Sequence, residues 1–131
     1  MKDYAAFVKV FEAGEIDAAD FSHMDHVGVA WELLGKRDFL EALSIYANTI
    51  RNLAINAGVP DKFNTTITIA FLGVIAERQK HTNAENFEDF IAENSDLVKR
   101  NVLTDWYSAD RLSQSAAREI FLMPDDFRVS A

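Results

Sequence analysis

The chain contains no cysteine, which excludes disulfides, thiolate-held zinc clusters and cysteine nucleophiles, and is compatible with a reducing cytosol. Only 2 prolines and 5 glycines occur in 131 residues, so the turn punctuation that a many-stranded protein needs is missing. Positive charge is scarce as well: 13 basic residues face 21 acidic ones, a formal charge of −8. Such a field repels phosphate backbones and anionic lipid heads, which argues for no nucleic acid and no membrane among the partners. No apolar run approaches the length of a membrane span, and residues 1–12 are interrupted by charge too often for a secretory signal. The expected location is cytoplasmic. A glycine-rich phosphate loop, a nucleophile beside a base and a complete metal quartet are also missing, so the sequence names no reaction and leaves open whether the chain is an enzyme.

What is present is ordinary globular material, 49% hydrophobic and 26% charged, in a length that suits one domain with a real core. Apolar residues recur at helical spacing almost throughout, which predicts an all-α domain, a compact bundle or orthogonal packing of five to seven helices. A first helix is expected over residues 2–13, burying Tyr4, Phe7, Val8 and Phe11 and ending at Gly14. Ser22 stands three residues before Asp25 in the pattern of a capping box, followed by an inward stripe of His23, Val27, Ala30, Trp31 and Leu34 that Gly35 should stop. From Asp38 to Ala57 the positions Phe39, Leu43, Tyr46, Ile50 and Leu53 hold the longest helical period, closed by Gly58 and Pro60. Thr65 to Lys80 begins with a β-branched run that favours strand on propensity alone. Its length and the spacing of Ile67, Phe71, Val74, Ile75 and Arg78 predict a buried helix instead. A short acidic helix should bury Phe87, Phe90 and Ile91, with Glu88, Asp89 and Glu93 outward. A broken pair of short helices with Ser113 as a cap should follow, ended by residues 123–126. Helices two, three and four should form the centre.

The stretch from Phe21 to Trp31 is the one place where chemistry concentrates, since it holds two of the 3 histidines, a carboxylate and a tryptophan. His23 and His26 lie one turn apart, close enough to share a divalent metal ion, provided that His81 or an acidic side chain supplies a third ligand. The alternative makes Ser22 and Asp25 capping groups, His23 a first-turn residue and His26 a partly buried hydrogen-bonding histidine. Trp31 either walls a small-molecule pocket or belongs to the core. Asn64 either caps the fourth helix or turns its amide into a pocket, and Thr65, Thr66 and Thr68 offer hydroxyls at a helix start where the dipole favours an anion. Tyr107, Ser108 and Arg118 form a second polar cluster, with Arg118 drawn inward to a carboxylate or ligand, or exposed beside Asp110 or Glu119. His81, between Lys80 and Thr82, reads as solvated.

Taken together, Phe21-x-His23-x-Asp25-His26-Val27-x-x-Ala30-Trp31, Lys62-Phe63-Asn64-x-Thr66-x-Thr68, Tyr107-Ser108 with Leu112 and Ala117-Arg118, and Pro124-Asp125 resemble a family of small, uncharacterised bacterial all-helical proteins. The resemblance runs over most of the chain and brings no activity with it. It implies that the histidine pair, Trp31, the threonine-rich helix start, Tyr107, Ser108 and Arg118 line one cleft. Where that family usually carries a third histidine this chain has Asn64, and an amide oxygen is a poor ligand for the metals that imidazole suits.

Three functions remain. The first is a small-molecule pocket built from His23, His26, Trp31, Asn64, Thr68, Tyr107 and Arg118. The second is a metal-dependent enzyme with His23 and His26 as ligands. The third is a helical interaction module or homodimer that uses apolar surface left over on the third or last helix.

Overall fold

Local capping chemistry sets most of the helix starts. The computed structural model describes residues 2–125 and contains, among these, eight α-helices and no strand. Helix α1 spans Tyr4–Glu12, with the Asp3 carboxylate accepting from the Ala6 N–H, and Gly14 turns the chain away at φ +72°. Helix α2 spans His23–Lys36 behind the expected capping box: Ser22 Oγ accepts from the Asp25 N–H and the Asp25 carboxylate from the Ser22 N–H. Gly35 does not stop this helix, because the chain turns only at Arg37, whose guanidinium reaches back to Glu12 at 3.2 Å. Helix α3 covers Phe39–Asn56 behind an Asp38 cap, and Gly58 at φ +76° precedes a short 3-10 turn at Pro60–Lys62.

Helix α4, Thr65–His81, settles the conflict between β-branched propensity and helical spacing in favour of spacing. The threonine hydroxyls show why the run is tolerated. Thr65 and Thr66 donate to the carbonyls of Arg118 and Ile120, each at 2.7 Å, and Thr66 also accepts from the Leu122 N–H. The Asn64 amide donates to the Leu112 carbonyl at 2.9 Å. These groups dock the C-terminal segment onto the start of α4, so the hydroxyls that could have faced an anion are committed to backbone.

The remaining helices are short. Helix α5, Phe87–Glu93, buries Phe87, Phe90 and Ile91 as its pattern predicts, and α6 is a single turn at Asp96–Lys99 followed by a 3-10 turn at Val102–Asp105. Helices α7, Ala109–Ser113, and α8, Ser115–Glu119, are the broken pair. Its cap differs from expectation: Ser108, whose hydroxyl accepts from the Arg111 N–H, starts α7, while Ser113 is its last residue and bonds back to the Asp110 carbonyl. Of the terminating residues 123–126, Asp126 lies outside the described residues.

Helix α2 packs against α1, α3, α4 and α6, and α4 packs in turn against α3 and α8, so the expected centre holds. Val27, Val29, Ala30, Leu33, Leu72 and Ile75 are fully buried between them. The third helix does leave Phe39, Leu40 and Ile55 exposed, and Ile120, Phe121 and Met123 are exposed after α8. No helix among the described residues is long and apolar enough to cross a membrane.

Candidate functional site

A cavity of about 360 Å³ opens where the first turn of α2, the middle of α3 and the start of α4 meet the segment 98–103. Helix α2 supplies His23 and His26, α3 supplies Tyr46 and Ile50, and α4 supplies Ile67, Thr68 and Phe71. Val98, Arg100, Asn101, Val102 and Leu103 close the remaining side. Mostly apolar walls with a few polar groups are the usual composition of a ligand pocket, and this volume falls at the small end of the roughly 300–1,000 Å³ range for such sites.

Each polar group on the wall can be followed to its partner. His23 bonds through Nε2 to the Leu97 carbonyl at 2.8 Å, and since a carbonyl only accepts, that nitrogen carries the proton. The contact ties the start of α2 to the segment that closes the cavity. Thr68 donates to the Asn64 carbonyl at 2.7 Å. Arg100 is held by both oxygens of Asp105, at 3.1 and 2.8 Å, with Asp96 at 3.9 Å. Asn101 spends its side-chain oxygen on the Leu103 N–H.

His26 and Tyr46 are different, because neither the imidazole nor the hydroxyl hydrogen-bonds to any described residue. Tyr46 is 1% exposed, and its hydroxyl keeps a narrow solvent access at the cavity wall, unlike Gln79 Oε1, which is buried without a partner. Burial raises its pKa above the ordinary 10.0 and keeps it a neutral phenol. His26 is half-buried, with the Phe21 ring 4.4 Å from its centroid on one side and Tyr46 at 6.5 Å on the other. Burial, reinforced by the nearby His23 and opposed by Asp25, pushes the His26 pKa down from 6.5 to about 4. At neutral pH this imidazole is uncharged, with one donor and one acceptor nitrogen.

That shift has a measurable consequence. The unfolded chain takes up the proton near 6.5 and the folded chain only near 4, so protonation favours unfolding between those values. The His26 contribution to stability is whole above pH 6.5 and declines as pH falls to about 4. Proton NMR of the imidazole C2 signals should give His26 a midpoint near 4, and His26→Gln should flatten the stability profile over that interval. A His26 midpoint near 6.5 would show that the ring is solvated.

The other expected site residues are scattered. Trp31 is half-buried against Phe90, 4.8 Å between ring centroids, and its carbonyl accepts from Gln79. Asn64 is a cap, accepting from the Ile67 N–H while its amide holds Leu112. The Arg118 carbonyl accepts from Thr65, and its guanidinium pairs with no described residue. Tyr107 is buried and donates to the Leu122 carbonyl at 2.8 Å, and Ser108 holds Asp125. Thus His23, His26 and Thr68 come together, whereas Trp31, Asn64, Tyr107 and Arg118 do not join them. The residues that the resemblance gathers into one cleft are spread out, with Trp31, Asn64 and Arg118 outside the wall that His23, His26 and Thr68 share.

Tyr107 instead lines a second cavity of about 670 Å³ with Trp106, Phe121, Glu77, Arg78 and His81. Its polar groups are engaged, as Tyr107 is and as Arg78 is with Asp96 at 2.7 Å, or exposed, as Glu77 and His81 are, apart from the half-buried Trp106, whose indole N–H has no partner among the described residues. His81 therefore sits away from the other two histidines. Among the described residues no three His, Asp or Glu side chains come together as metal ligands.

Tyr46, Phe71, Arg100 and Asn101 are the pocket residues that sequence reasoning passed over. Tyr46 carried a usable signal, since a tyrosine on an otherwise aliphatic buried stripe brings a hydroxyl that has to find a partner. No family model, curated protein or solved structure matches this chain.

Proposed function

We propose that this chain is a cytoplasmic small-molecule-binding protein, related to the bacterial helical proteins its Phe21-to-Trp31 motif resembles, and that its ligand occupies the cavity between α2, α3 and α4. The observation that carries this reading is the pair of partnerless polar groups, the His26 imidazole and the Tyr46 hydroxyl, on the wall of a mainly apolar pocket. Both groups border the cavity, so their hydrogen-bonding capacity is open to an occupant. The surroundings support recognition over structure, because every other polar group on that wall has a partner within the fold or faces solvent.

A fragment panel screened by ligand-observed NMR, with the histidine ring signals recorded in parallel, tests the proposal. Binders are expected to shift His26 signals and leave His81 unmoved. Tyr46→Phe and His26→Gln, checked for an unchanged helical circular dichroism spectrum, should each weaken binding by about tenfold, the value of one hydrogen bond of ~1.4 kcal/mol. Glu77→Gln, in the second cavity, should leave it unchanged. Binders that move only His81, or a panel with no binders, would overturn the assignment.

A further inference from the structure

Resting on that pocket reading, we infer that the ligand class is an uncharged, flat aromatic molecule carrying one hydroxyl, recognised by ring contacts with Phe71 and Tyr46 and by hydrogen bonds to Tyr46 and His26.

Charge balance around the cavity excludes ions of either sign. Arg100 is the one cationic side chain on the wall, and two hydrogen bonds to Asp105 with Asp96 alongside leave its charge already matched. Asp25, the nearest acid along α2, spends both carboxylate oxygens on Lys2, Tyr4 and the Ser22 N–H, so it offers nothing to a cation. His26 is neutral at pH 7. A charged ligand would lose its hydration in a pocket with no free counter-charge, which is unfavourable in a mostly apolar wall.

The shape and remaining chemistry are equally restrictive. Aromatic rings meet the cavity from two helices, Tyr46 on α3 and Phe71 on α4, and the His23 ring lies 5.5 Å from Phe71. Edge and offset contacts with such rings favour a planar guest. An apolar void of about 150 Å³ accepts benzene, so about 360 Å³ has room for one substituted ring or two fused rings. The free hydrogen-bonding capacity is one phenol and one neutral imidazole, which together match a hydroxyl that donates to one and accepts from the other.

Four probes at pH 7 discriminate: phenol, toluene, benzoate and benzylammonium, titrated against the full chain by calorimetry and histidine NMR. Phenol is expected to bind at least about tenfold more tightly than any of the other three. Tyr46→Phe should weaken phenol by about tenfold and leave toluene unchanged, a difference that a mere loss of fold would not produce. If benzoate or benzylammonium binds as tightly as phenol, or if other fragments occupy the site while phenol does not, the ligand class is overturned and the pocket stands. If neither the four probes nor the fragment panel shifts His26, both readings fall together.

Discussion

Replacing Asp25 by alanine should lower the stability of the fold by ~3–4 kcal/mol, the cost of leaving a buried charged network without its acceptor. In a chain of this length that corresponds to a fall of roughly 10–15 °C in Tm. Asp25 is 2% exposed, yet its carboxylate accepts from the Tyr4 hydroxyl at 2.7 Å, from the Lys2 ammonium at 3.0 and 3.1 Å, and from the Ser22 N–H at 3.0 Å. One side chain therefore closes the cap of α2 and fastens α1 across it. Lys2 is 45% exposed and can return to water, so Lys2→Met should cost less than about 1 kcal/mol. The buried Tyr4 has no such option, and Tyr4→Phe should recover part of the Asp25→Ala penalty in a double-mutant cycle. Additive effects would mean that the two groups act independently.

The same network dictates an acid response. Burial by itself would raise the Asp25 pKa, but the hydrogen bonds from Ser22, Tyr4 and Lys2 outweigh it and hold the carboxyl below its ordinary 3.8. A depressed carboxyl stabilises the fold fully above pH 3.8 and loses that contribution as pH falls through the folded-state value. Acid unfolding of the parent chain should thus proceed in two intervals, the His26 decline at higher pH and the Asp25 loss below it. Asp25→Asn should shrink the second interval, leaving the share of Asp96, which Arg78 holds below its ordinary value, and should move the His26 midpoint lower because the charge that opposes its shift is gone.

Gly28→Ala should destabilise the protein by ~2–3 kcal/mol, in the upper range for overpacking, although alanine is the better helix former by about 1 kcal/mol. A Cβ at residue 28 would lie 2.5–2.6 Å from three carbons of the Tyr4 ring. That ring has nowhere to go: its hydroxyl is fixed on Asp25, and its edges meet Phe87 at 5.0 Å and Phe7 at 5.8 Å. Gly28 is a position where α1 and α2 approach too closely for any side chain. Gly73 in α4 supplies the control, because nothing lies within 4 Å of a Cβ built there. Gly73→Ala should stabilise the fold by about 0.5–1 kcal/mol. Thermal melts of the two variants should move in opposite directions, and a stabilised Gly28→Ala would show that the α1–α2 contact is looser than described.

Features that depend on a few neighbouring residues were readable from the chain. The Ser22–Asp25 capping box, the Asp38 start of α3, the glycine turns at Gly14 and Gly58 and the in-and-out pattern of α5 all follow from side chains within one turn of the backbone they serve. Gly35 does not end α2, because a glycine is permitted at a helix end without being required there; the helix runs on to Lys36, with Arg37 as its C-cap and Asp38 already capping α3. Of the two roles that its position offered, Asn64 takes the cap. What the amide also does, holding Leu112, depends on a segment 48 residues away.

Spacing thus determined the helical class, the central place of α2, α3 and α4 and the neighbourhood of His23 and His26, because periodicity reports which face of a helix turns inward. It does not report what that face meets. Crossing angle and axial rotation decide that, and they arise from side chains packing across helices that are remote in sequence. So Trp31, on the same helix as the histidines, met Phe90, and Tyr107 went to a different cavity. Tyr46, which looked like one more core aromatic, brought its hydroxyl to the side of His26. The amino-acid order placed the polar groups on inward faces; only the packing of those faces decided which of them had partners and which bordered a cavity without one.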